Sequence, residues 1–444
     1  MSQSAPHLDR GLNTKLWVMT AAMLWLLSSI LKLQIARVTP FDALIGAVLT
    51  IILLHAAMSQ TRTSRRRWRL SAPLGYYLGM MALLCAGLVS GLHATEVKLW
   101  VVEVVTFLYL FIMLISFDLF STDQLDRFLR VGGWTFAGLC AVCGIVAGMF
   151  LLGGPQIGFF YETNPEGLTT KFAGPMRFPN QWAGFFLSLF PLLLALNFDR
   201  VTPLQRFILL ACTLLGFITI PATGSRSGMF LMVAQGGGFL ALYILLSRSG
   251  HVLTRVFYIL VFIGSMGATY WMLFEQASES PILTRSLGAF DLVFEQESIS
   301  DRWRDHNWEA ALREFEKYPL IGMGLGTFER FYTKHEVHSS YLSFAAETGL
   351  AGLACYITLV TIPLVRLLRA MGAYMARGRA DVMLIALTLS IFSQMLFAIH
   401  HNNTRHRHVW MMLLCGLLYS EVAMARLRTT IKDQTPGNAL RRTP

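Results

Sequence analysis

The chain has little charge. Only 14% of its 444 residues are Asp, Glu, Lys or Arg, against about a quarter in soluble domains, which excludes an ordinary water-soluble globular protein. Acid is scarcer than base, with 26 Asp and Glu against 37 Lys and Arg. Cysteine is absent from the longest polar stretch. All six cysteines (Cys85, Cys140, Cys143, Cys212, Cys355, Cys415) fall in apolar runs, so no disulfide framework holds a polar loop. Cys140 and Cys143 have redox-motif spacing, but inside an apolar run they read as small packing residues. Internal repeats, low-complexity tracts and Pro/Ser-rich linkers are absent. The first apolar run is long and is followed by no small-residue cleavage site, so no cleavable signal peptide is expected.

What the chain does have is apolar length. It is 54% hydrophobic, with mean hydropathy +0.52, and its apolar residues come in runs of roughly 17–25, the length that crosses a bilayer core. Unbroken runs exclude a β-barrel, whose strands are short and alternating. The expected fold is all-α, a polytopic membrane protein of about twelve spans, at 15–31, 41–58, 73–92, 99–117, 131–153, 180–197, 207–221, 228–246, 256–274, 340–365, 381–400 and 409–425. That divides the chain into spans 1–9 (residues 1–274), a loop with an amphipathic helix (275–339), spans 10–12 (340–425) and a tail (426–444).

Orientation follows from Lys and Arg in the short loops. One set of loops holds Arg62, Arg65, Arg66, Arg67, Arg69, Arg127, Arg130, Arg200, Arg206, Arg248, Arg255, Arg366, Arg369, Arg377 and Arg379. The other holds about half as many: Lys32, Arg37, Lys98, Lys171, Arg177, Arg226, Arg405 and Arg407. The richer side is expected in the cytoplasm with both termini. The long loop and the segments 154–179, 222–227 and 401–408 then face out. The net charge of +11 reads as topogenic arginine, not as affinity for nucleic acid.

Arginines on the outward side run against this trend. Arg177 lies in Arg177-Phe178-Pro179-Asn180-Gln181, at the start of the sixth span. Arg226 lies in the tight turn Thr223-Gly224-Ser225-Arg226-Ser227-Gly228, just before a helix. Arg302 lies in the first turn of a helix expected over Ser300–Lys317, where a cation meets the positive helix end. A guanidinium is a permanently charged fork suited to phosphate, and a glycine- and hydroxyl-rich turn at a helix N-terminus adds N–H donors. These three are candidate anion-binding residues; the competing reading is that Arg177 and Arg226 snorkel to lipid headgroups and that Arg302 is a solvated charge or pairs with Asp301 or Asp305. That bland reading is the preferred one for Arg405 and Arg407. In the loop helix, Trp308, Ala311, Leu312 and Phe315 mark the apolar face.

His338 stands immediately before Ser339 and Ser340, either of which can cap the tenth span. Imidazole, with an ordinary pKa near 6.5, is a suitable base at neutral pH, and neighbouring arginines would keep it neutral. Glu347 falls deeper in the same helix, where a carboxylate needs a partner or a packing role. His335, His400, His401, His406 and His408 do not complete a metal-ligand set, and no metal or cofactor is expected. Gly322-x-Gly324-x-Gly326 has the wrong spacing and context for a dinucleotide fingerprint; it reads as a close turn between helix and membrane. Glu103, Gln235 and Gln394 are polar residues inside spans that could line a transport path. Glu103 is expected to pair within the bundle.

Phe178-Pro179-Asn180-Gln181, Ser225-Arg226-Ser227-Gly228, Arg302…Trp308…Pro319–Phe328 and His338-Ser339-Ser340-Tyr341-Leu342…Glu347-Thr348-Gly349 together resemble the O-antigen ligase/polymerase superfamily, whose members carry a Wzy_C-type domain. The resemblance implies a metal-independent, inverting glycosyl transfer at the periplasmic face of the bacterial inner membrane. The donor would be a glycan on undecaprenyl pyrophosphate and the acceptor a sugar hydroxyl of lipid A–core. It maps the family's histidine onto His338 as base and its arginines onto Arg226, Arg177 and Arg302 as pyrophosphate-binding residues. Ser225, Asn180, Tyr341 and Glu347 would have supporting roles. The nearest alternatives are an O-antigen polymerase and a protein O-oligosaccharyltransferase; from another class, a lipid-linked glycan transporter.

Overall fold

A computed structural model describes residues 72–119, 125–152, 157–163, 170–199, 201–246, 264, 299–329 and 337–434. The expected spans 15–31, 41–58 and 256–274 lie outside the described residues, as does His335.

The other nine expected spans are each a helix: α1 (Leu74–Ser90), α2 (Val97–Leu119), α3 (Leu125–Leu151), α4 (Pro179–Phe198), α5 (Pro203–Thr223), α6 (Arg226–Leu246), α8 (Ser340–Met375), α9 (Val382–His400) and α10 (Arg407–Gln434). The loop helix is α7 (Ile299–Lys317). By length and composition, eight described helices could cross a membrane. Large apolar side chains such as Phe207, Phe230 and Leu245 remain exposed on them, which is a favourable arrangement only against lipid.

Local chemistry sets the helix starts. Thr202 and Gln205 cap α5 reciprocally: Thr202 Oγ1 accepts from Gln205 N at 3.3 Å and Gln205 Oε1 accepts from Thr202 N at 2.9 Å. Pro203 at the first position loses nothing by lacking an N–H. Asp381 caps α9 by accepting from Met383 N and Leu384 N. α4 has no charged residue and is apolar on every face, so it takes the centre. Trp182, Phe185, Phe186 and Phe190 are fully buried there. α9 crosses α4 and carries α6, α8 and α10 against it.

Two features depart from the sequence-based expectation. A short antiparallel hairpin, β1 (Tyr161–Thr163) and β2 (Thr170–Phe172), pairs Tyr161 with Phe172 between α3 and α4, and these are the only strands among the described residues. The tenth span is also not one straight helix. α8 runs 36 residues, about 54 Å at 1.5 Å per residue, and breaks at Gly349 (φ 66°, ψ −164°).

The loop Pro319–Thr327 fills this break. Leu350 N donates to Pro319 O at 2.7 Å and Ala351 N to Leu320 O at 3.5 Å, while Met323 N and Gly324 N donate to the carbonyls of Ala346 and Glu347 at 2.9 and 3.1 Å. Those two carbonyls are the ordinary helical partners of Leu350 and Ala351. The loop therefore exchanges two helical hydrogen bonds for four of its own and gives the backbone groups of Ala346, Glu347, Leu350 and Ala351 new partners. Close approach of two backbones requires glycine. A Cβ on Gly322 would sit 2.3 Å from the Glu347 carbonyl carbon, and one on Gly349 2.4 Å from that of Leu320; both glycines have positive φ. Of the Gly-x-Gly-x-Gly run, Gly322 is fitted to the helix break, while Gly324 lies against Ala94 and Gly326 against Glu103.

α7 packs on the start of α8. Its buried face is Asn307, Ala310, Ala311 and Glu314, whereas Leu312 is 47% exposed. Of the face expected from Trp308, Ala311, Leu312 and Phe315, Ala311 is buried and Trp308 packs against the same cluster, while Leu312 is exposed and Asn307 and Glu314 are buried instead. The sequence pattern misled because two buried positions, Asn307 and Glu314, are polar.

Candidate functional site

One end of the bundle gathers the start of α6, the start of α8, the end of α9 and the segment 401–406. Each arrives there for a local reason. Gly224 ends α5 in the left-handed conformation (φ 65°), so that α6 begins only two residues later, at Arg226. Ser225 is buried and accepts from Gly228 N at 3.3 Å; its hydroxyl caps α6. Ser339 caps α8, accepting from Leu342 N at 3.4 Å. This fixes His338, half-buried, just outside the helix. From above, the Trp308 indole Nε1 of α7 donates to the His338 carbonyl at 3.3 Å, and its ring stacks on His400 with centroids 5.8 Å apart.

His401 joins these parts. Its Nε2 lies 2.9 Å from Ser227 Oγ, and its ring stacks on Phe397 at 4.2 Å. Its carbonyl accepts from Ser340 Oγ at 3.1 Å. Ser340 also donates to Asn403 Oδ1 at 2.7 Å and accepts from Asn403 N at 3.0 Å. Asn403 Nδ2 continues to Gln394 Oε1 at 3.1 Å, and Gln394 Nε2 to the Gly184 carbonyl of α4 at 2.8 Å. The helix bearing Arg226 and the helix begun by His338 are therefore tied through one buried polar ladder. Gln394, a residue that could have lined a transport path, is a rung of it, and Gln235 bonds the Leu187 carbonyl at 2.7 Å.

The electrostatics have one sign. Burial pushes the His401 pKa well down, and His338, Arg304, His400 and His406 push it further. The ring is neutral at physiological pH. His406 is driven down to about 4, by burial and then by Arg405 and Arg407.

The sequence-predicted residues separate into groups. Arg226 and His338 come to the shared end. Arg177 is exposed and lies over the Phe178 ring at 5.2 Å. Arg302 sits in the first turn of α7, but its side chain is outside the described residues. Among the described side chains of α7, Arg304, one turn before Trp308, acts on His400 and His401. Asn180 lies in the first turn of α4, beside the Gln181 side chain, whose Oε1 accepts from Phe178 N. Tyr341 donates its hydroxyl to the Met395 carbonyl at 3.1 Å, which holds α8 on α9. Glu347 is buried at the helix break.

Arg405 and Arg407 do not reach out to headgroups, as first read. Arg405 pairs with the buried Glu103 at 2.9 Å and with Glu329 at 3.5 Å. Glu103 reaches it across Gly326, where a Cβ would meet Glu103 Cγ at 2.1 Å. Arg407 is buried and lies over Tyr109 at 5.9 Å. Sequence reasoning missed Arg304 and His401 as members of the site. A signal was present for Arg304: the i, i+4 step to Trp308 on one helix face.

The fold and this end of it define a polytopic helical membrane protein with cationic and imidazole groups assembled where α6, α7, α8 and α9 meet. Residues 211–357, from α5 through the break in α8, match the family described as O-antigen ligase, Wzy_C. That segment contains the Arg226 turn, α7, the glycine loop and His338, and it carries the resemblance to the O-antigen ligase superfamily. No curated protein matches the chain.

Proposed function

We propose that the protein transfers O-antigen polysaccharide from undecaprenyl pyrophosphate to a sugar hydroxyl of lipid A–core, at the periplasmic face of the bacterial inner membrane. The observation that carries this reading is the meeting of the Arg226 turn with the His338 helix start through His401, inside the segment that matches the O-antigen ligase family.

The acceptor hydroxyl oxygen attacks the anomeric carbon of the donor. His338 takes the hydroxyl proton as general base. The bond from the anomeric carbon to the phosphate oxygen breaks, and its electron pair leaves with undecaprenyl pyrophosphate. In-line displacement inverts the anomeric centre. The leaving pyrophosphate already carries negative charge and gains one more as that bond breaks, so it needs fixed positive partners, which Arg226 and Arg304 supply, with Arg177 and Arg302 at the approach. Arginines can do this without a metal ion. Donor and acceptor are both lipid-linked and enter from the bilayer.

The test is a purified protein in proteoliposomes with labelled lipid-linked glycan and lipid A–core. Label moves onto lipid A–core, and His338→Ala abolishes the transfer while eluting and melting like the wild type. Label moving onto a second lipid-linked glycan would make the protein a polymerase. Flux with no covalent product would make it a transporter. A well-folded, active His338→Ala protein would remove the histidine from its role.

A further inference from the structure

We propose that His401 is a positioning residue: through Ser227 it fixes the first turn of α6, and Arg226 with it, against the start of α8 that carries His338. This rests on the glycosyl-transfer reading above for its consequence in turnover, but its geometry is independent of it.

Two sides of one residue do the joining. The ring reaches α6 through Ser227 Oγ at 2.9 Å, and the carbonyl is held by Ser340 Oγ at 3.1 Å. Ser227 follows Arg226 directly, and Ser340 is two residues after His338. The ring cannot swing away, because it is stacked on Phe397 at 4.2 Å and is buried. Its backbone continues into Asn403, itself locked to Ser340, Gln394 and α4. A displacement of α6 relative to α8 therefore has to break the partly buried hydrogen bond to Ser227 or the buried one to Ser340. The bond survives in either neutral tautomer, with Nε2–H donating to the serine oxygen or the serine hydroxyl donating to Nε2. The groups facing the ring, His338, Arg304, His400 and His406, oppose its protonation, so the contact stays uncharged beside a site that must hold an anion.

A base and a leaving-group cradle on two different helices must keep their spacing while the bond breaks. Misplacement by about 1 Å can cost on the order of a hundredfold in rate. A residue that touches neither reactant can then govern turnover.

The experiment compares His401→Ala, His401→Gln, Ser227→Ala and the double variant His401→Ala/Ser227→Ala, by glycan transfer and by hydrogen exchange of the amides of residues 226–230. His401→Ala is expected to lower kcat on the order of tenfold or more with little change in KM, and Ser227→Ala to match it. The double variant should be no worse than either single one, because both remove the same link. His401→Gln, which retains a side-chain N–H, should recover most of the activity. The amides of the α6 first turn should exchange faster in His401→Ala and Ser227→Ala and near normally in His401→Gln. Unchanged exchange in the alanine variants, or losses that multiply in the double variant, would overturn the proposal. A wild type that transfers no glycan, with exchange altered as described, would instead overturn the functional reading and support His401 as the tie between the two helices.

Discussion

The two ends of the bundle place their basic side chains in different company. Away from the histidines, Arg130 pairs with Asp199, Arg426 with Asp126 and Arg366 with Glu421. The first two pairs line a cavity of about 560 Å³ with Tyr243, Tyr374 and Tyr419. At the histidine end Arg405 is likewise matched, by Glu103 and Glu329. Arg304 acts on His401 with like sign, so that after burial it too holds this ring neutral. A matched arginine is a fastening. A cluster of like-signed groups raises the local positive potential and gains stability when an anion arrives. Charge count alone does not distinguish the two kinds, and substitution of each arginine does.

Substitutions at the two ends should break in different ways. The largest effect on turnover after His338 is expected at the like-signed cluster. Arg226→Ala and Arg304→Ala should each lower kcat/KM by about a hundredfold, roughly the effect of removing one charge-stabilising donor, with melting temperature nearly unchanged. Lysine should rescue in part, since it keeps the charge but loses the fork. If either alanine variant turned over normally, that arginine would belong with the fastenings.

Arg405→Ala should do the reverse. It leaves Glu103, 1% exposed, without its cation in a buried place. Breaking such a pair costs about 3–5 kcal/mol, read as a lowered melting temperature and poor recovery in detergent. Glu103→Gln combined with Arg405→Ala should regain part of the loss. A normally stable Arg405→Ala protein would show that the pair is not structural.

Acid should probe the histidine end next. His406 is driven down to about 4 in the folded protein, against about 6.5 unfolded. The unfolded chain binds the proton first as pH falls, so the stabilisation is complete above about 6.5 and is lost as pH falls from there to about 4. Between pH 7 and 5.5 this amounts to about 1 kcal/mol for one histidine. His401, shifted the same way, adds to it. Thermal melts at the two pH values in wild type and His406→Asn measure it: the variant should lose part of the acid sensitivity. The smallest effect is expected at the far end, where Arg130 is half exposed. Arg130→Ala should cost no more than about 1 kcal/mol and leave transfer within about twofold.

Much of this was legible in the sequence, and the reasons for the remainder are particular. Spans were readable because lipid demands unbroken apolar length, and the Ser339 cap and the Gly224–Arg226 turn because caps and left-handed glycine are local chemistry. His338 was readable from its place before a capped span. The register of α7 was not, because Asn307 and Glu314 are buried polar residues that hydropathy counts as exposed. Arg304, which acts on the histidines, lies two residues past Arg302, the arginine named from the sequence. His401 was invisible for another reason: its partners, Ser227 and Ser340, are 174 and 61 residues away, and nothing local marks such a meeting. The hairpin of β1 and β2 was too short to leave a pattern.

The break in α8 also bears on how the protein is made. Residues 319–327 are synthesised before residues 346–351, so the patch exists before the gap that it fills. A span passing into lipid with open carbonyls at Ala346 and Glu347 and open amides at Leu350 and Ala351 would bear several kcal/mol for each. The favourable route is insertion of α8 as a continuous helix that opens at Gly349 only when the glycine loop docks. Biogenesis then ends with a local exchange of partners, and a chain whose loop fails to dock would keep an intact but wrongly straight tenth span that quality control could distinguish from the finished protein.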